Sequence, residues 1–548
     1  MCTIKFSGLT GRVVALALIG LILAPTPSVH GDHDGVHVWT LDTGGNYYTA
    51  ENWDPSGVPG DADIARFFRA DDGSLLIVHF SPDTLTSPAS DRLLIPQHRI
   101  MFNLGPNTTY QLHGDGDPDQ GASLVLGQGF HTTEGVIPGL GVLAVAGGTL
   151  AGVDAVLGLN ASALFPSFSS RGELGVGGGA TADFSRDMYV GYGGHGELFV
   201  APGGTVVTGR NAYLGYQPLI PVSRGEAFLA GADAQWMIGE SLFVGGSSGA
   251  AGGQGLVNIE QGARLQVGQT IHVWGGGQIE LDGGDSRLLA ADLMVDGGQV
   301  LHHDGGVNLS TDLSTITSAF DIGRGTGTGT LTITGGGRVE SDHAAALAVH
   351  DNADGHATVS GTDAQDNPST WRVASLFVGG RWATPGGHAT LNVEDQGQVH
   401  VDGSMRVWHA GEVTLGPSSQ LTASRLFLNG GSVARTGGWL AFSDSGEVLG
   451  LGEGTFFGIG SGTGELEMTA GATLVGGSHN DLGRHAGSTG IATLSNPGTQ
   501  WTGTRHYVGN HGVGELSIED GAAVHSIALV IGMQTGPTSG SRRALNRR

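Results

Sequence analysis

The chain has 548 residues, 100 of them glycine and only 14% charged, with one cysteine and a formal charge of −26. Such an acidic balance repels nucleic acid and anionic membrane surfaces. Glycine stands far above its average share of roughly 7%, yet no Gly-X-Y period exists, which excludes collagen, and the regular aliphatic alternation argues against low-complexity disorder.

In chain order, Lys5 and Arg12 precede an apolar run over 13–24, followed by Pro25 and a small-residue region ending at Gly31. This is the pattern of a secretory signal peptide, residues 1–31, too short for a spanning helix of about 20 residues. Cleavage would remove Cys2 and Lys5, the single cysteine and single lysine, and bring the charge to −28. The mature chain then has no disulfide option, although export would permit one. No later stretch has the length of a transmembrane helix.

The new N-terminus, Asp32-His33-Asp34-Gly35-Val36-His37, carries metal-ligand types but reads as a solvated end. Residues 32–120 are dense in aromatics (Trp39, Tyr47, Tyr48, Trp53, Phe67) and lack the repeat described below. They are expected to form an N-terminal β cap with strands near 75–80, 93–104 and 109–112, because the end of a repeat stack needs a cover. The alternative for the aromatics is a carbohydrate-binding platform. Asp115-Gly116-Asp117-Pro118-Asp119 begins like a calcium loop, but Gln120 replaces the required Gly and Leu126 the closing Glu, so it reads as an acidic turn.

From 121 to 535 a unit recurs: an apolar residue and Gly, a Gly-rich turn, an apolar-x-apolar strand, Gly, and a second apolar strand. Val190-Gly191…Leu198…Gly203…Val206, Ile322-Gly323…Leu331…Gly336…Val339 and Val508-Gly509…Leu516…Gly521…Val524 are three copies. A variant ends its loop in Trp236, Trp371 or Trp501. Apolar-Gly corners at Gly191, Gly215 and Gly245, and again at Gly460, Gly483, Gly509 and Gly532, are 23 to 30 residues apart. That period predicts a solenoid, period-2 alternation predicts strands, and the corner glycines supply positive φ. Roughly 15 to 18 coils are expected, in a rod about 70–90 Å long. Stretches near 160–172, 285–319 and 420–455 lose the glycine spacing and are read as divergent coils. Residues 536–548 form a basic, structureless tail. The unit opened at Gly532 is not completed, so an uncovered β-edge able to recruit a partner or a second copy is expected there.

The repeat resembles the autotransporter-like, PEP-CTERM-associated repeats of exported bacterial proteins. The likeness rests on Val190-Gly-Tyr-Gly-Gly-His-Gly-Glu-Leu198, Ile322-Gly-Arg-Gly-Thr-Gly-Thr-Gly-Thr-Leu331 and Asn496-Pro-Gly-Thr-Gln-Trp501, and it spans most of 140–535. It implies an all-β fold, a right-handed parallel β-helix, exposed outside the cell.

A catalytic set is not legible. A polysaccharide lyase or hydrolase would need carboxylates gathered on one face, whereas the acids mostly sit singly at turns, as Asp282, Asp296, Asp304 and Asp402 do. Gly245-Gly-Ser-Ser-Gly249 spells a nucleophile elbow without the helix that must follow it. His350-Asp-Asn-Ala-Asp-Gly-His356 is the densest polar cluster, but it lacks a recognisable third ligand spacing; we read it as a solvated turn. The calcium-binding nonapeptide is missing. The three tryptophans are about five coils apart and read as local plugs at coil corners rather than a sugar ladder. No catalytic, cofactor-binding or metal-ligating residue is therefore assigned. The expectation is a secreted or cell-surface structural or adhesive protein, not an enzyme, with a surface glycan, a protein ligand or its own C-terminal end as partner. The alternative is a carbohydrate-active β-helix enzyme.

Overall fold

The computed structural model describes residues 35–532 apart from 43, 69–73, 81–87, 115–120, 133–134, 138, 160–169, 218–222, 284, 304–305, 310–319, 430, 437–438, 443–454, 458–462 and 477. The signal-peptide segment, the acidic turn at 115–119 and the basic tail lie outside the described residues. Those described contain strands and one 3-10 turn, Ala50–Asn52, but no α-helix.

The architecture is an all-β parallel solenoid. Each full coil contributes three strands, and each strand pairs in parallel with its counterpart one coil on. The coil at His195–Val200, Thr205–Thr208 and Ala212–Leu214 pairs with Arg224–Ala230, Gln235–Ile238 and Leu242–Val244. We call these strands the first, second and third faces. The third face is an unbroken column. Eighteen successive parallel pairings run from Val36–Trp39 through Ile64–Phe68 and Arg92–Asn103 to Ala523–Ile531. The described residues between 35 and 114 are thus continuous in pairing with the stack they close. Trp39 also pairs antiparallel with Trp53 at that end.

Sequence alternation explains which side chains fill the core. In His195–Val200 the inward residues are Gly196, Leu198 and Val200, while His195, Glu197 and Phe199 point out. One core of buried side chains runs from Trp39 to Val508. Its N-terminal end is plugged by Trp39, Tyr47, Trp53, Phe67, Phe80, Phe102 and Tyr110. Their rings meet edge-on or stacked, as in Tyr47 on Phe80 at 4.7 Å, with the Tyr47 and Tyr110 hydroxyls 3.1 Å apart. Burying such rings contributes specific edge and stacking contacts beyond their apolar area.

Gly191 shows why the corners need glycine. Its φ is +80°, and a Cβ there would stand 2.2 Å from the carbonyl oxygen of Arg224 on the next coil. Gly323 repeats this, with φ +73° and 2.1 Å to the oxygen of Asp354. Coil length is elastic: successive first-face partners are separated by as little as Glu412↔Ser432 and as much as His98↔Gly141. The divergent stretches keep register where they are described: Arg287–Ala290, Asp292–Asp296 and Gln299–His302 pair in order with their neighbours.

Candidate functional site

Parallel, in-register stacking turns residues a coil apart into neighbours about 4.8 Å apart. On the outer side of the first face it aligns Arg171, His195 and Arg224 in one column and Glu173, Glu197 and Glu226 in the next. Arg171 reaches Glu173 at 2.6 Å and Glu197 at 2.7 Å. His195 Nε2 lies 3.1 Å from Glu197 and 3.3 Å from Glu226, and Arg224 Nε donates to Glu226 at 2.6 Å. Glu197 and Glu226 are buried. Burial tends to raise the Glu226 carboxyl, but hydrogen bonds from His195 and Arg224 outweigh it and hold the group below its usual range. Glu173 is held above the usual range by burial, which together with the charge of Glu197 outweighs Arg171.

The ladder ends in a shallow groove of about 400 Å3, lined by Arg224, Glu226, Gln254, Gln278 and Gln299 over a glycine floor. On the outer side of the third face the middle residues also stack. Tyr189, Tyr213 and Phe243 lie parallel at 4.9 and 5.2 Å, covered by Tyr192 and Tyr216, themselves stacked at 5.1 Å. Further along, Trp382 is 49% exposed. The Arg406 guanidinium sits 4.2 Å from the Trp382 ring centroid and 5.1 Å from that of Phe427, and Trp408 Nε1 donates to Arg381 O at 2.7 Å. Arg381 in turn pairs with the buried carboxylate of Asp321.

The residues considered from sequence fall as follows. Trp39, Tyr47 and Trp53 are buried and form no surface platform, and Tyr48 packs edge-on against Tyr47. His37 is drawn to Asp63 at 3.5 Å. Trp236, Trp371 and Trp501 are fully buried in one inward column of the second face, between Val206 and Leu265, Val339 and Val399, and Leu474 and Val524. They plug the middle of a face rather than a corner. Gly245–Gly249 is a turn closed by a bridge from Gly246 to Ala251, with Ser247 O accepting from Trp274 Nε1. Asp282 and Asp296 end strands, and Asp402 pairs with Arg372 at 3.2 Å.

The His350–His356 cluster divides. Asp354 and His356 open the first-face strand Asp354–Ser360, and His388, opposite Asp354 on the next coil, joins them. Ligand-type atoms of these three lie within 4.8 Å of one another, as do those of His195, Glu197 and Glu226. The sequence reading missed both groupings. The signal that could have found them is the recurrent charged-Gly-Glu triplet, Arg171-Gly172-Glu173, His195-Gly196-Glu197 and Arg224-Gly225-Glu226, which places outward residues at equal register in three coils. Compared with protein-family models, with curated proteins and with solved structures, the chain matches none.

Proposed function

We propose that the protein is a non-catalytic extracellular structural or adhesive solenoid, displayed outside a bacterial cell and binding through its long outer faces. The observation that carries this reading is the closed state of the Arg171–Glu226 ladder. Glu197 and Glu226 are buried, and each is held by an arginine and by His195. A glycosidase needs one carboxyl free to give a proton and another free to attack or to activate water. Glu197 and Glu226 supply neither, and the ladder instead locks three coils together. What is left open is extended surface: the glutamine-lined groove, and exposed Trp382 braced by Arg406. Aromatic rings with an adjacent polar rim suit a glycan or a protein loop, and repetition along a rod suits multivalent contact.

A second reading has one observation in its favour. Glu173, Glu197 and Glu226 do stand on successive coils, and Glu226 lines a groove; carboxylates gathered on one face are what a carbohydrate-active enzyme needs. A glycan- and protein-array screen of residues 32–548, run beside a reducing-end assay on acidic and neutral polysaccharides, separates the two. Binding weakened by Trp382→Ala without polysaccharide cleavage supports adhesion. Cleavage abolished by Glu197→Gln overturns it in favour of the enzyme. Self-association through the C-terminal end is the remaining mode of contact. Light scattering that shows a monomer at all concentrations removes it. Among the described residues no helix is long and apolar enough to cross a membrane.

A further inference from the structure

Asp354, His356 and His388 differ from the Arg171–Glu226 ladder in what surrounds them. In the ladder, a cation would have to displace Arg171 from Glu197 and Arg224 from Glu226. Asp354 makes its ion pairs with the two histidines, at 3.7 Å to His356 Nε2 and 3.0 Å to His388 Nδ1, both from Oδ1. Among the described residues no arginine forms an ion pair with it.

The spacing suits a tetrahedral ion. Two ligands each about 2.0–2.1 Å from such an ion are separated by roughly 3.3 Å, and the two observed distances bracket that value. The donors are also pre-set. His356 Nδ1 is 2.6 Å from Thr390 Oγ1 on the neighbouring coil, which directs a lone pair on Nε2 towards Asp354 when Nδ1 carries the proton. An outer hydrogen bond of this kind fixes tautomer and ring orientation in metal sites. Thr328 Oγ1 approaches Asp354 Oδ2 at 3.5 Å from the preceding coil. All three ligands stand on strands rather than on loops, so backbone pairing holds their relative positions.

We propose that Asp354, His356 and His388 form a zinc site that clips two neighbouring coils together. Two imidazoles and one carboxylate are the donor set of zinc sites that keep a fourth position open. The two coils joined are those separated by the Asp354↔His388 step, the longest on the first face after His98↔Gly141, where the extra chain adds freedom for a clip to remove.

The test uses untagged residues 32–548 and zinc chloride alone. Isothermal titration should show one ion that is lost in His388→Ala and weakened at least tenfold in Asp354→Asn. Thr390→Val, which removes only the orienting bond, should weaken it roughly tenfold. His195→Ala, in the arginine-neutralised cluster, should leave the isotherm unchanged. Zinc should raise the unfolding midpoint of the wild type and not that of His388→Ala. Since His388 is 60% exposed, both proteins should melt alike in EDTA; if they do not, Asp354→Asn supplies the same comparison. An isotherm unchanged in both ligand variants, or no uptake by the wild type, overturns the proposal.

Discussion

Trp236 and Trp371 occupy equivalent inward positions but differ in one bond. Trp236 Nε1 donates to the buried Thr208 hydroxyl at 3.1 Å, whereas the buried Trp371 Nε1 has no hydrogen-bond partner. Trp→Phe removes similar volume at both sites, but at 236 it also strands a buried hydroxyl. We expect Trp236→Phe to cost about 1 kcal/mol more than Trp371→Phe, as read from denaturant midpoints followed by circular dichroism. His506 gives a second test at this scale. Its ring lies edge-on to Trp501 at 4.7 Å with neither nitrogen hydrogen-bonded, and burial lowers its pKa from 6.5 to about 4. The unfolded chain therefore takes up this proton first as the pH falls. Its contribution is fully present above about pH 6.5 and is lost on the way to pH 4. The wild-type midpoint should fall across that window, and His506→Leu should flatten the slope by about 1–3 kcal/mol in total.

At the level of the strand and its corner, the sequence was most legible where the physics is local. Positive φ at Gly191, Gly323 and Gly509 follows from a turn no side chain enters cheaply, and alternation named the inward residues of nearly every coil. Gly191 and Gly178 should separate the two costs of replacing such a glycine. Both have positive φ, but a Cβ at Gly178 meets nothing within 4 Å, while at Gly191 it meets the next coil's backbone. Gly178→Ala should cost about 1–2 kcal/mol from backbone strain, and Gly191→Ala measurably more, by thermal unfolding. What the sequence did not show is lateral. Whether Glu197 meets His195 and Arg171, or His388 meets Asp354, depends on coil-to-coil register. Elastic coil lengths hide that register in a chain read one residue at a time, so the stacking of Glu173, Glu197 and Glu226 went unread.

For the whole molecule, the fifteen pairings of the third face from Leu124–Leu126 onward, at about 4.8 Å each, give about 72 Å, within the length anticipated for residues 121–535 from the glycine period; all eighteen give a rod of about 85 Å. Small-angle scattering should return an elongated cross-section profile of that length; a compact sphere would contradict the stack. The same architecture gives the protein an unusual contact economy for an all-β chain. Nearly every described strand finds its parallel partner one coil away, between the extremes Gln420↔Trp439 and His98↔Gly141. The loop closed by each new pairing therefore varies little, and closure entropy differs by only about 0.7 kcal/mol between the shortest and longest coils. Long-range pairing usually makes β-proteins slow to fold. Here the first pair of coils alone forms without a template, and each later coil is added to an existing edge. The kinetic barrier belongs to nucleation, and the time to complete the rod should grow in simple proportion to the number of coils.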